Sequence, residues 1–260
     1  VGSEMCIRDS NKVVQFATVA NRETADGGST ILAGNQKVLS ARLSDAKFFW
    51  DNDLRTIKTG GLDIWLEKLK KVTFHNKLGS QFERVERIIN LSEIIAKKIG
   101  CDPKLAKDAA YISKADLSSE MVYEFPELQG IMGTYYAKKA GYAASVSETC
   151  KDHYAPLGPS DEVPGSPIST VVALADKIDT LTNFWAIEEK PTGSKDPFAL
   201  RRSALGMIRI IIENDIRISL SEILALGNKK ADIEDLKEFI YQRMKVFLRE
   251  KELRHDIIDA

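Results

Sequence analysis

The 260 residues are 43% hydrophobic and 29% charged, which suits one large domain or two small ones and excludes a disordered or fibrous chain. No apolar run is long enough to span a bilayer. With 37 Lys and Arg against 38 Asp and Glu the net charge is −1, so any nucleic-acid contact must come from a local patch and not from the overall field. Cys6, Cys101 and Cys150 are too few and too scattered for a disulfide framework, which points to a reducing, cytoplasmic setting.

Residues 1–10 lack the apolar core of a signal peptide and carry Glu4, Arg8 and Asp9; they read as a non-native leader and are set aside. Val13–Val19 is a β-prone run and the only credible strand. From Asn35 the helical period takes over, with Val38, Leu39, Arg42, Leu43, Ala46, Phe49 and Trp50 on one broad face. Gly60-Gly61 breaks the chain, and Leu62–Val72 is a short helix with Trp65, Leu66 and Leu69 inward. Gln81–Ile99 is the clearest helix, stopped by Gly100. Asp102-Pro103 starts the next, expected to run to about Glu124. After Pro126 comes a helix with Ile131, Met132 and Tyr135, then one over Ala144–His153. The Pro- and Gly-rich stretch 155–167 is a loop and the best linker candidate. Helices are expected at about 168–187, 197–213, 219–226 and 232–252. The fold class is mainly α, a helical bundle with a small β remnant near the N-terminus.

Lys190 to Arg202 reads as a short loop that launches a helix, with Asp196 as N-cap and Pro197 at the first helical position. Lys190, Lys195, Arg201 and Arg202 surround that start and are candidate phosphate contacts; an ordinary capped surface helix is the simpler reading. Asp176 and Asp179 lie one helical turn apart. They suit an acid/base pair or metal clamp, but no His accompanies them, which favours a structural hydrogen-bonding cluster with Lys177 and its neighbours. Cys150-x-x-His153 has metal-like spacing without the remaining ligands, and His255-Asp256 lacks a matching upstream His. Gly193-Ser194-Lys195 is not a phosphate loop. Phe48, Phe49 and Trp50 suit stacking on RNA bases, but their helical spacing favours core.

Four stretches together carry a resemblance. They are Gly34-Asn35 to Arg42–Ala46; Ala115-Asp116-Leu117 running into Glu124–Gly133; Ala173–Leu181; and Lys190–Arg202 followed by Ser203–Gly206. In this order, over roughly residues 12–260, they resemble the β subunit of the bacterial heterotetrameric glycyl-tRNA synthetase. The resemblance implies an internal fragment of a subunit more than twice as long. It also implies an HD-like helical core from Gln81 to Asp179. HD domains bind a metal through a His, a His-Asp pair and a later Asp. Those positions fall here on Gln81, Ser113-Lys114 and Asp176, so only the last Asp is kept and no metal site is expected.

The domain boundaries that follow are 1–10 for the leader, 11–75 for the end of an N-terminal region, 76–190 for the HD-like domain and 191–260 for the start of a further helical region. The resemblance implies a share in ATP-dependent attachment of glycine to its tRNA through tRNA positioning and scaffolding, with no catalytic residue here. The partners implied are the α subunit, which uses ATP with Mg, and glycine tRNA, in a heterotetramer without membrane contact. The fragment itself binds no cofactor. The alternatives are an HD-type metal-dependent phosphohydrolase and a helical interaction module without RNA contact.

Overall fold

The computed structural model describes the backbone of residues 4–9 and 12–251 and the side chains of residues 15–251. His255-Asp256 lies outside the described residues. Contacts divide the chain into two units, one up to Asn52 and one from Asp53.

In the first unit, strands β1 (Glu4–Asp9) and β2 (Lys12–Thr18) form an antiparallel hairpin, Glu4 opposite Thr18, with a register shift between Ile7 and Arg8. The β-prone run at Val13–Val19 is therefore not the only strand. Its partner comes from the segment set aside as a leader, and a second small hairpin lies further on. Helix α1 (Ser29–Gly60) starts six residues before the expected Asn35, because the Asp26 carboxylate accepts the Gly28 and Thr30 amides at its entry. Leu32, Val38, Leu43 and Phe48 along α1 are exposed. Of the face expected from Asn35 onward, Val38, Arg42 and Leu43 are exposed and Leu39, Ala46, Phe49 and Trp50 are half-buried.

The second unit is a helical bundle. Helix α2 (Asp63–Leu69) buries Trp65, Leu66 and Leu69 as its spacing dictates. Strands β3 (Thr73–His75) and β4 (Gly79–Ser80) make the second hairpin. Ser80 then caps α3 (Gln81–Ile99): its hydroxyl accepts the Glu83 amide and Glu83 accepts the Ser80 amide, while Gly100 ends the helix at φ 76°. Asp102 caps α4 (Pro103–Ile112).

The single helix expected from Pro103 to Glu124 is broken. After α4 come a 3-10 turn over Ala115–Ser118 and α5 (Glu120–Glu124). Short polar side chains compete with the helical ladder here: Ser113 Oγ donates to Ala110 O, Ser119 Oγ donates to Asp116 O and accepts the Val122 amide. A second 3-10 turn, Pro126–Leu128, leads to α6 (Ile131–Lys139) and α7 (Ala144–Asp152).

Helix α8 (Pro167–Ala186) is the centre of the unit, with every residue from Ile168 to Trp185 buried. It has no solvent-facing side because α3, α4, α7 and α9 (Leu200–Glu213) pack against it. Helices α10 (Leu220–Leu224) and α11 (Ile233–Glu250) complete the unit. The fold is mainly α.

Two buried carboxylates tie distant segments of this unit with neutral donors. Asp53 accepts the Glu120 amide at 2.9 Å, the Met121 amide at 3.1 Å and the Tyr136 hydroxyl at 2.6 Å. Asp116 accepts the Gly130 amide at 2.6 Å and the Gly133 amide at 2.9 Å. Gly133 has no room for a side chain there: a Cβ would stand 2.9 Å from Cys150 Cβ and 3.0 Å from the Asp116 carboxylate. The Glu124–Gly133 stretch is thereby a structural clasp.

Candidate functional site

Helices α3, α4, α7 and α8 bring their polar residues together at one buried point. Asp176 Oδ1 on α8 lies 3.0 Å from Lys114 Nζ, just past the end of α4, and 3.1 Å from Arg84 on α3. Lys114 Nζ is also 3.0 Å from Nε2 of His153, which ends α7. The His153 Nδ1 sits 2.8 Å from Thr149 O. That geometry makes Nδ1 the protonated nitrogen and leaves Nε2 to accept from Lys114. One turn further along α8, Asp179 takes Arg87 at 2.6 Å, with Asn183 donating to the same carboxylate at 2.8 Å. Asp176 and Asp179 are therefore both held by arginines, while Lys177, expected in their cluster, donates to Ala155 O.

Lys177 is buried too, its ammonium donating to Ala155 O at 2.9 Å. Gly206 on α9 leaves the space its stem occupies, since a Cβ there would meet Lys177 Cε at 2.6 Å. The electrostatics follow from burial among like charges. Burial pushes the Lys177 ammonium down to about 8, with Lys114 and Arg84 adding to the effect and Asp176 opposing it. Burial and the Lys114 charge push His153 down to about 3, so the imidazole is neutral. Burial alone raises the Asp176 carboxyl, but Arg84 and Lys114 outweigh it and hold the group well below the usual carboxylate range.

Of the four positions that the HD resemblance singled out, the structure brings together Lys114 and Asp176. Gln81 and Ser113 do not join them. Ser113 Oγ turns back to its own helix, and the α3 residue that reaches Asp176 is Arg84, three positions beyond Gln81. The donor set does not fit a metal ion. An ammonium and a guanidinium already stand within 3.1 Å of the one carboxylate, and two fixed positive charges repel a third. Among the described residues no group of three or more His, Cys, Asp or Glu is arranged to hold a metal. Cys150 is buried in the core, so Cys150-x-x-His153 is packing and not a metal motif.

Sequence reasoning named Lys177 beside Asp176 and weighed His153 only as half of a metal motif, but missed Arg84. The available signal was an Arg one turn from Gln81 on α3.

The loop between α8 and α9 is more ordered than its exposed residues suggest. Thr192 and Lys195 exchange backbone hydrogen bonds at 3.1 and 2.8 Å, and Arg201 donates to Gly193 O at 2.7 Å. Asp196 accepts the Leu200 and Arg201 amides at 2.8 and 2.9 Å. The helix nevertheless begins at Leu200 and not at Pro197, because Ala199 takes a left-handed φ of 52° and the Asp196 carboxylate reaches across the intervening turn. The four candidate cations part company. Lys190 is bound to Glu188 and Asp235, each at 3.0 Å, and both pairs push its pKa up. Arg201 is spent on the loop. Lys195 and Arg202 are exposed and have no ion pair among the described residues.

The sequence model of the family described as "Glycyl-tRNA synthetase beta subunit" matches residues 5–260. The chain belongs to that family. It is 62% identical over 252 residues to the glycine–tRNA ligase β subunit of Ruegeria sp. (strain TM1040), covering 96% of this chain and 37% of that protein. Against the glycine–tRNA ligase β subunit of Dinoroseobacter shibae it is 54% identical, covering 98% of this chain and 40% of the relative. With that of Cereibacter sphaeroides (strain ATCC 17029) it is 57% identical over 262 residues, 96% of this chain and 38% of the relative. The chain thus spans between a third and a half of the length of these curated relatives. Among the described residues, no helix is long and apolar enough to cross a membrane.

Proposed function

We propose that this chain serves glycine–tRNA ligase as a tRNA-positioning and scaffolding part of the β subunit, without carrying the chemistry of aminoacylation. Catalysis of ATP- and Mg-dependent glycine transfer then belongs to the α subunit, and the cytoplasmic assembly is a heterotetramer. The observation that carries the reading is the pair Lys195 and Arg202: exposed, without an ion pair among the described residues, and presented by a loop braced through Thr192, Asp196 and Arg201. A braced cationic pair meets RNA phosphate with little loss of side-chain and loop freedom. Lys190 and Arg201 support the loop and are not themselves phosphate contacts in this reading. Under the HD resemblance, Lys114 stands where a metal ligand is expected, and nothing in the site favours a phosphohydrolase.

In the intact α and β assembly, Lys195→Ala combined with Arg202→Ala should weaken glycine tRNA binding and lower the slope of log K against log salt by roughly 1 to 2. Unchanged affinity, slope and glycylation kinetics would remove the reading. A failure of the double variant to assemble with α would reassign the loop to the subunit interface.

A further inference from the structure

The buried cluster opens into a pocket of about 280 Å³. Its lining includes Arg84, Lys114, Lys177 and Arg202, with Asp176 as the one carboxylate. Charge does not balance around it. Arg84, Arg87, Lys114 and Lys177 face Asp176, Asp179 and Asp116, leaving one buried positive charge in excess, while Arg202 at the pocket is exposed. Burying such a surplus is costly unless an anion accompanies it.

Two further features point to what that anion is. Tyr154 lines the pocket, and its hydroxyl is buried and has no hydrogen-bond partner among the described residues. A buried hydroxyl without a partner costs about 1–3 kcal/mol, a cost removed when it donates to an incoming oxygen. The same pocket is lined by Phe74, Phe184 and Phe198, with Phe184 and Phe198 stacked at 4.2 Å between centroids. Cations and a hydroxyl donor suit phosphate oxygens, and an aromatic wall suits a flat ring.

We propose that this pocket binds the phosphate group of a nucleotide, with Lys177, Arg202 and the Tyr154 hydroxyl on its oxygens and the base against the phenylalanines. A phosphate carries up to two negative charges, enough to cancel the surplus. The volume lies near the lower end of the range of roughly 300–1,000 Å³ for small-molecule sites, the scale of one nucleotide and not of a chain. This inference shares Arg202 with the tRNA reading and does not rest on Lys195.

The test is calorimetric titration of the intact α and β assembly with three probes: AMP, inorganic phosphate, and a short unphosphorylated oligoribonucleotide. The variants are Tyr154→Phe, which keeps the ring, and Arg202→Ala, which alters an exposed residue. AMP should bind in the submillimolar range and more tightly than phosphate, and each variant should weaken it about tenfold or less. Lys195→Ala, outside the pocket, should leave AMP affinity unchanged while still lowering the tRNA salt slope, which separates failure here from failure of the tRNA reading. Oligoribonucleotide binding with the same sensitivity to Tyr154→Phe, and tighter than AMP, would overturn the assignment to a single nucleotide. Phosphate binding as tight as AMP would overturn the nucleotide assignment. No binding of any probe at millimolar concentration, or AMP binding untouched by both variants, would overturn the site.

Discussion

Asp53 and Asp176 bury a carboxylate in opposite ways. Asp53 is met by two amides and a phenol, all neutral, and burial leaves its carboxyl above the ordinary value. Asp176 is met by Lys114 and Arg84 and is held far below it. A neutral cage fixes three segments in space and asks nothing of the surroundings. A charged cage makes every member depend on the others, because each lost charge leaves the rest unpaired in a low-dielectric interior. The first arrangement is a staple. The second is what a site looks like when cations occupy the place where the HD resemblance calls for metal ligands.

Breaking the charged cage should cost most. Asp176→Asn leaves Arg84 and Lys114 buried without their shared counter-charge and should lower unfolding free energy by about 3–5 kcal/mol. Urea unfolding measures this, and millimolar AMP should restore part of the loss if the pocket binds an anion. A change below about 1 kcal/mol would show the cage to be solvated and the contrast false.

The same exchange in the neutral cage should be milder. Asp53→Asn keeps an accepting oxygen, and the Tyr136 hydroxyl can turn to accept from the new amide, so about 1–2 kcal/mol is expected. Equal losses at the two positions would mean that charge is not what distinguishes them.

Acid sharpens the comparison with smaller steps. His153 is pushed down to about 3 from 6.5, so its contribution to stability is whole above pH 6.5 and falls by about 1.4 kcal/mol for each unit below that. Burial pushes Asp116 up to about 6 from 3.8, so the folded state takes that proton first and gains stability as pH falls from 6 to about 4. The two nearly cancel in that window. His153→Gln should therefore become more stable between pH 6 and 4, where the parent protein stays almost level. Parallel pH profiles of urea midpoints would count against a neutral buried imidazole.

Much of the frame was legible in the sequence because its signals are local. Ser80, Glu83 and Gly100 delimit α3 within a few residues of chain, and the structure starts and stops that helix where they do. The break after Ile112 was not legible. Ser113, Asp116 and Ser119 read as tolerable in a helix until Asp116 finds the Gly130 and Gly133 amides, a contact no local pattern announces. The site divides along the same line. Lys114 and Asp176 could be named from motif positions. Arg84, His153 and Lys177 meet them only through the packing of α3, α7 and α8, and Ala199 takes a backbone angle that its residue type does not advertise.

Helix α8 has a consequence for how the chain is made. With no solvent face from Ile168 to Trp185, it emerges from the ribosome as a sticky rod, and α3 and α7, already synthesised, cover only part of it. The α9 side stays open until translation has passed Glu213, a delay of a few seconds at roughly 5–20 residues per second. During that interval the nascent chain leaves exposed the side of α8 that α9 will bury.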